Sequence, residues 1–132
     1  MRIRDALESD AEALADVTGR PADVLVDTIH DRTVRVATDG RDGDEIDGFV
    51  AFDVRAGTVH VTDLAGTPPA LERLIEEPKR FAKREGMDVE AVVVDGEKRR
   101  SDALEDAGFA AAGSGPRFEG RSTTRFRLER DE

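Results

Sequence analysis

His60 and Asp63 are three residues apart in the run "TVHVTDL", the most chemically pointed spacing in the chain. An imidazole with an ordinary pKa near ~6.5 and a carboxylate close by can take a proton from a nucleophile, directly or through water. Each also has a plain alternative. His60 can be a sheet-face residue bonded to a neighbour, and Asp63 a strand-end carboxylate capping a turn. Asp53 beside Arg55 reads as one half of a cross-strand ion pair. His30, before Asp31 and Arg32, reads as a partner of a helix C-terminus. Two basic clusters remain: Lys79, Arg80, Lys83 and Arg84, and the run Lys98, Arg99, Arg100. Either can serve phosphates, or pair along a helix with Glu76, Glu77 and Glu97. The GxG of "GSGPRFEG" would need a strand before it and a helix after it to hold phosphate; between two strands it is a hairpin link. With two His and no Cys, a zinc site is not expected and a thiol nucleophile is impossible.

The setting for these residues is acidic. The chain has 132 residues, 30 Asp and Glu against 20 Lys and Arg, and a formal charge of -10. Asn, Gln, Tyr, Trp and Cys are absent, and Lys79, Lys83 and Lys98 are the only lysines. A dense carboxylate surface with few long apolar lysine stems suits molar salt, where the Debye length falls to ~3 Å. The composition reads as that of a protein from a salt-accumulating halophile. The charge argues against nucleic acid, which demands a basic face. No apolar run approaches the ~20 residues of a membrane span, and the first residues carry no apolar signal region. One domain over residues 1–132, in the cytoplasm, is the expectation.

The elements that must position the candidates follow from periodicity. Met1 to Leu7 alternates as a strand. Ser9 and Glu12 read as a capping box for a helix with Ala11, Leu14, Ala15 and Thr18 on one face, stopped by Gly19. Pro21 opens a second helix with a Leu25, Val26, Ile29 stripe. Thr33–Thr38, Gly48–Arg55 and Thr58–Leu64 read as strands, the last two joined by Ala56-Gly57. Residues 39 to 47, "DGRDGDEID", form an acidic loop. Phe49 to Phe52 is apolar on both faces, as in a strand covered on both sides. A long helix follows Pro69, with Pro78 expected to kink or split it. Val89–Val94 reads as a buried strand, Ser101–Ala107 as a short helix closed by Gly108, and Phe109–Ala112 and Thr123–Leu128 as the last strands. The order β-α-α-β-β-β-α-β-α-β-β is that of an α/β fold with one central mixed sheet flanked by helices.

That order resembles the GNAT superfamily, the acetyl-CoA-dependent N-acetyltransferases, over nearly the whole chain. "MRIRDALESDAEALADV" is similar to the family's first strand and helix. "GFVAFDVRAGTVHVTDL" is similar to its hairpin, which ends in an acidic-Leu pair, here Asp63-Leu64. "SDALEDAGF" is similar to its short helix and last-strand entry, with Gly108-Phe109 matching best. The resemblance implies acetyl-CoA or CoA as cofactor and a small-molecule or peptide amine as substrate. It implies Asp63 or His60 as base and a backbone N–H near Leu64 or Ala65 as the polariser of the thioester carbonyl. It places the cofactor's phosphates at Gly66 and Thr67, with Lys98, Arg99 and Arg100 close by.

Three departures stand beside the resemblance. The family's Q/R-x-x-G-x-G/A loop, which cradles pyrophosphate with backbone N–H groups, is here only "AGTPPA". Leu104 stands where the family has its acidic Tyr, and the family's Asn after the fifth strand is missing. An inactive GNAT-like module, a CoA or small-ligand sensor or a protein-interaction domain, is therefore the alternative reading.

Overall fold

The computed structural model describes residues 1–39 and 45–130. The acidic loop expected at 39 to 47 lies largely outside the described residues. Eleven elements follow in chain order: β1 (Arg2–Asp5), α1 (Ala11–Thr18), α2 (Ala22–Asp31), β2 (Thr33–Thr38), β3 (Ile46–Arg55), β4 (Thr58–Gly66), α3 (Pro68–Glu85), β5 (Asp88–Val94), α4 (Lys98–Asp106), β6 (Ala110–Ser114) and β7 (Thr123–Leu128). The order is the expected one, with a single 3-10 turn at Glu8–Asp10 added before α1. Among the described residues no helix is long and apolar enough to cross a membrane.

The strands form one sheet in the order β1-β2-β3-β4-β5-β7-β6. Every neighbouring pair is antiparallel except β4 with β5. Those two are parallel and pair only from Thr58 opposite Asp88 to Val61 opposite Ala91. Beyond Val61 they part, although β4 runs on to Gly66 and β5 to Val94.

Helices cover both faces. On one, Val50, Phe52, Val59, Val61 and Leu64 meet Leu71, Leu74 and Ile75 of α3 and Leu104 of α4. On the other, Phe49, Ala51 and Ala65 meet Ala11 and Leu14 of α1 and Leu25 of α2. Phe49 to Phe52 are all buried, as a strand covered on both sides must be. The Ala56-Gly57 link has positive φ at both residues (51° and 76°), the geometry that matches the twist of a tight hairpin.

Local chemistry corrects several boundaries. Asp10, not Ser9, stands before α1 and makes no side-chain cap bond to it; its carboxylate instead closes the 3-10 turn by accepting the Leu7 N–H at 2.7 Å, and accepts both guanidinium ends of Arg4 at 2.8 and 3.0 Å. Pro21 sits just before α2 as its cap residue, not inside it. Pro78 neither splits nor ends α3, which continues from Pro68 to Glu85 with Pro78 buried inside. One missing hydrogen bond is outweighed there by the burial of Leu71, Leu74, Ile75 and Ala82 on the same face. Only alternate residues of β5 are buried, and Val92 is 45% exposed. The last hairpin behaves as expected: "GSGPRFEG" joins β6 to β7 through a bridge between Phe118 and Arg121.

Candidate functional site

Strict alternation along β4 would put His60 and Asp63 on opposite faces of the sheet. The pairing with β3 shifts there: Phe52 faces Val61, but Ala51 faces Asp63, so Thr62 is an extra residue. This bulge re-aims everything after it. Val59 and Val61 join the α3 side before it, and Leu64 joins that side after it. His60 and Asp63 therefore share the face covered by α1 and α2.

Asp63 is buried, with 6% of its side chain exposed, and it is not free. Arg20, from the link between α1 and α2, brings Nη2 to 2.5 Å from Oδ1. Arg32, just after α2, brings Nη1 to 3.3 Å from Oδ2 and to 3.3 Å from Thr62 Oγ1. Arg32 also lies 3.8 Å from Asp53, whose other oxygen is 3.6 Å from Arg55 Nε. The expected cross-strand pair of Asp53 is thus a same-strand contact with Arg55 plus a longer reach from Arg32. His60 makes no side-chain hydrogen bond among the described residues. It stands opposite Asp53 on β3 and Glu90 on β5. Glu90 is itself paired with Arg127.

Leu64, Ala65, Gly66 and Thr67 lie consecutively where β4 has parted from β5. Alternate N–H groups of β4 beyond Val61 point into that gap, while the others pair with β3. Gly48 and Gly66 pack backbone against backbone here. A Cβ on Gly48 would come within 2.6 Å of the Ala65 carbonyl oxygen.

The start of α3 offers an anion nothing. Thr67 N–H donates to the Asp47 carbonyl at 3.0 Å, and Pro68 and Pro69 have no N–H. Ala70 N–H is taken by Thr67 Oγ1 at 3.3 Å and Leu71 N–H by the Thr67 carbonyl at 2.9 Å. Of Gly66 and Thr67, expected to hold phosphate, Thr67 has its N–H engaged by Asp47, so the two are not a run of free donors.

Cations stand on the other bank of the gap. The helix expected from Ser101 begins at Lys98, so Lys98, Arg99 and Arg100 form the first turn of α4 rather than preceding it. Arg99 Nη1 reaches the Gly66 carbonyl at 3.4 Å, spanning the mouth of the gap. Arg100 makes no ion pair among the described residues. Lys98 is turned away onto Asp102 at 3.4 Å. Between α3 and α4 runs a groove of about 740 Å³. Glu72, Glu76, Asp102 and Asp106 line it against Arg73, Lys79 and Arg99, so carboxylates outnumber cations. Leu104, at the position the resemblance gives to Tyr, is fully buried.

Half of the long-helix cluster is ion-paired, Lys79 with Glu76 at 3.1 Å and Arg80 with Glu77 at 2.6 Å, while Arg84 lies over the Phe81 ring at 5.4 Å from its centroid. His30 pairs with Glu8 at 2.6 Å, and that hydrogen bond raises its pKa above the usual 6.5. Sequence reasoning missed Arg20 and Arg32 as the partners of Asp63. The only local hint was a charged residue between the helix stop Gly19 and Pro21.

No protein-family model matches this sequence, and no curated protein does. Solved structures match closely in shape. Naa20 of Chaetomium thermophilum, in complex with a bisubstrate analogue, superposes with a TM-score of 0.81 at 12% identity, over 98% of this chain and 87% of that one. YncA of Salmonella typhimurium, with its cofactor acetyl-CoA, gives 0.73 at 18% identity, over 100% and 95%. An N-acetyltransferase from Staphylococcus aureus Mu50 gives 0.78 at 9% identity, over 97% and 96%. Likeness at these identities is likeness of fold, and the fold is that of the GNAT acetyltransferases.

Proposed function

We propose that this chain, built on the GNAT fold, is an acyl-CoA-dependent N-acyltransferase that moves an acetyl group from CoA to an amine of a small molecule or peptide. The observation that carries the proposal is the parting of β4 and β5 beyond Val61 and Ala91. It opens a gap into which backbone N–H groups of β4 point, from Leu64 or Ala65, and such preorganised donors suit a thioester carbonyl as it gains charge. The amine nitrogen attacks the thioester carbon from the face of His60, the C–N bond forms and the C–S bond breaks. His60 takes the amine proton, directly or through water. Asp63 takes that role only if Arg20 and Arg32 release it. The CoA thiolate leaves and is protonated by solvent, since the chain has no Tyr. Arg99 and Arg100 supply phosphate recognition in place of the N–H groups that α3 lacks.

A second reading is favoured by that same helix start and by the excess of carboxylates in the α3–α4 groove. It makes the chain a non-catalytic module, a CoA or small-ligand sensor or a protein-interaction domain.

Calorimetry with acetyl-CoA in molar KCl, followed by thiol release in the presence of amines, separates the two. The chain has no Cys, so all thiol detected comes from CoA. A charge-assisted hydrogen bond contributes about 1.5–3 kcal/mol. Replacing Arg99 and Arg100 by Ala is therefore expected to weaken binding by roughly one to three orders of magnitude, at about 1.4 kcal/mol per decade. Absence of binding refutes the transferase; binding without thiol release from a broad amine panel supports the sensor.

A further inference from the structure

We propose that a second cleft, at the C-terminal end of α3, binds a small organic anion: a carboxylate or phosphate carried on a short apolar body. The cleft has a volume of about 420 Å³ and lies between α3, the start of β5 and the end of β7. That is within the usual range for small-molecule sites. Its floor is apolar, with Ala82 and Val89 buried and Met87 and Leu128 packed against the core. Its rim is basic.

Two cations on that rim make no side-chain salt bridge among the described residues, although Asp88 lies near enough to Arg130 to feel its charge. Lys83 makes no ion pair. Arg130 is fixed over the cleft from a different segment. Its Nη1 donates to the Gly86 carbonyl at 3.1 Å, and its backbone N–H donates to Asp88 Oδ1 at 2.7 Å. The dipole of α3 explains cations in its last turn, but it does not explain Arg130, which follows β7. Convergence from two elements is what distinguishes this place from an ordinary helix end. Composition adds weight: in a chain of net charge -10 with three lysines, Lys79 and Lys83 both line this cleft. Glu76 and Glu129 are the carboxylates present, and Lys79 already holds Glu76 and the Ala107 carbonyl. The open positions for an anion are therefore Lys83 and Arg130, with Met87 and Leu128 beneath for the body.

This cleft is separate from the β4–β5 gap. Lys83 is fifteen residues along α3 from Pro68, about 22 Å at the rise of a helix. The proposal does not rest on the transferase reading.

The test uses the full chain in molar KCl, with octanoate, hexyl phosphate and inorganic phosphate as probes. Methyl NMR of Met87, Val89 and Leu128 reports position. Saturable shifts at those methyls with octanoate or hexyl phosphate are expected, with inorganic phosphate weaker by about tenfold or more for want of an apolar body. Lys83→Glu combined with Arg130→Glu is expected to weaken the two amphiphiles by about tenfold or more, since each loses a charge-assisted contact. The response to acetyl-CoA should not change. Shifts centred instead on the α3–α4 groove overturn the proposal. Binding undiminished in the charge-reversed variant overturns it, as does the absence of any saturable shift. Displacement of octanoate by acetyl-CoA would also overturn it, because the cleft would then be part of the cofactor site.

Discussion

Arg20 Nη2 lies 2.5 Å from Asp63 Oδ1, joining the link between α1 and α2 to the bulge of β4. With Arg32 on the second oxygen, the carboxylate serves as an anchor for a helical arm. Both of its oxygens are occupied, so a substrate amine meets the carboxylate only after a guanidinium leaves. His60, on the same face without a side-chain partner, is not so constrained.

Asp63→Asn is expected to cost about 1–3 kcal/mol. That is less than the full loss of a buried ion pair, because the two arginines keep access to water. His60→Gln should leave the urea midpoint close to the parent while lowering kcat/KM for acetyl transfer by about two orders of magnitude or more. If Asp63→Asn loses turnover while keeping its stability, Asp63 is the base and the anchor reading fails.

Pro68→Ala with Pro69→Ala returns two N–H groups to the start of α3. An anion at that helix start gains about 1.5–3 kcal/mol per charge-assisted bond, so acetyl-CoA should bind about tenfold tighter or better. The melt should fall slightly, since each proline restrains the unfolded chain by about 0.4–1 kcal/mol. Unchanged affinity in calorimetry would place the phosphates away from this helix.

Gly48→Ala forces a Cβ against the Ala65 carbonyl oxygen, so backbone must shift, at about 1–3 kcal/mol. Gly57→Ala meets nothing within 4 Å and carries only the cost of its φ of +76°, about 1 kcal/mol. Thermal melts should rank Gly48→Ala as the more damaging. Only that variant should also weaken acetyl-CoA, because Gly48 sets the strand spacing at the rim of the gap.

Two groups shape the pH profile in opposite directions. The bond to Glu8 raises the His30 pKa, so its contribution is complete below about pH 6.5 and is lost as pH rises through the higher folded value. The bond to Arg4 lowers the Asp10 pKa, so its contribution is complete above the ordinary 3.8 and is lost as pH falls through the lower folded value. Urea midpoints against pH should flatten on the alkaline side in His30→Gln and on the acid side in Asp10→Asn. A slope unchanged by either substitution assigns it to other groups.

Net charge supplies a salt dependence. With 30 acidic residues against 20 basic ones, self-repulsion opposes compactness at low ionic strength. The melting temperature should rise from low to molar KCl. A flat or falling curve contradicts the halophile reading of the composition.

What was legible in the sequence was local. Gly19, Gly86 and Gly108 ended their helices, Ala56-Gly57 turned the hairpin, and the apolar runs marked the strands. Helix starts were misplaced. Ser9 resembled a cap, but Asp10 stands before α1 with its carboxylate held by Arg4, and α4 begins at Lys98 because the turn after β5 already leads into it. The site depended on matters no short window contains. The bulge at Thr62 is a property of pairing with β3, and it reverses which face Asp63 occupies. Arg20 meets Asp63 only once α1 and α2 have folded onto the sheet.

The parallel contact of β4 with β5, four residues on each strand, is the only hydrogen-bonded seam between the sheet's two parts among the described residues. In the chain the parts are joined by α3, which ends at the exposed turn of Gly86. Cutting there would yield two fragments, one with β1 to β4 and α3, the other with β5 to β7 and α4. Their reassembly would depend on how well α3 and that seam dock. A ligand wedged between the strands would shift that assembly equilibrium, so the molecule has the layout of a split reporter for whatever fills its gap.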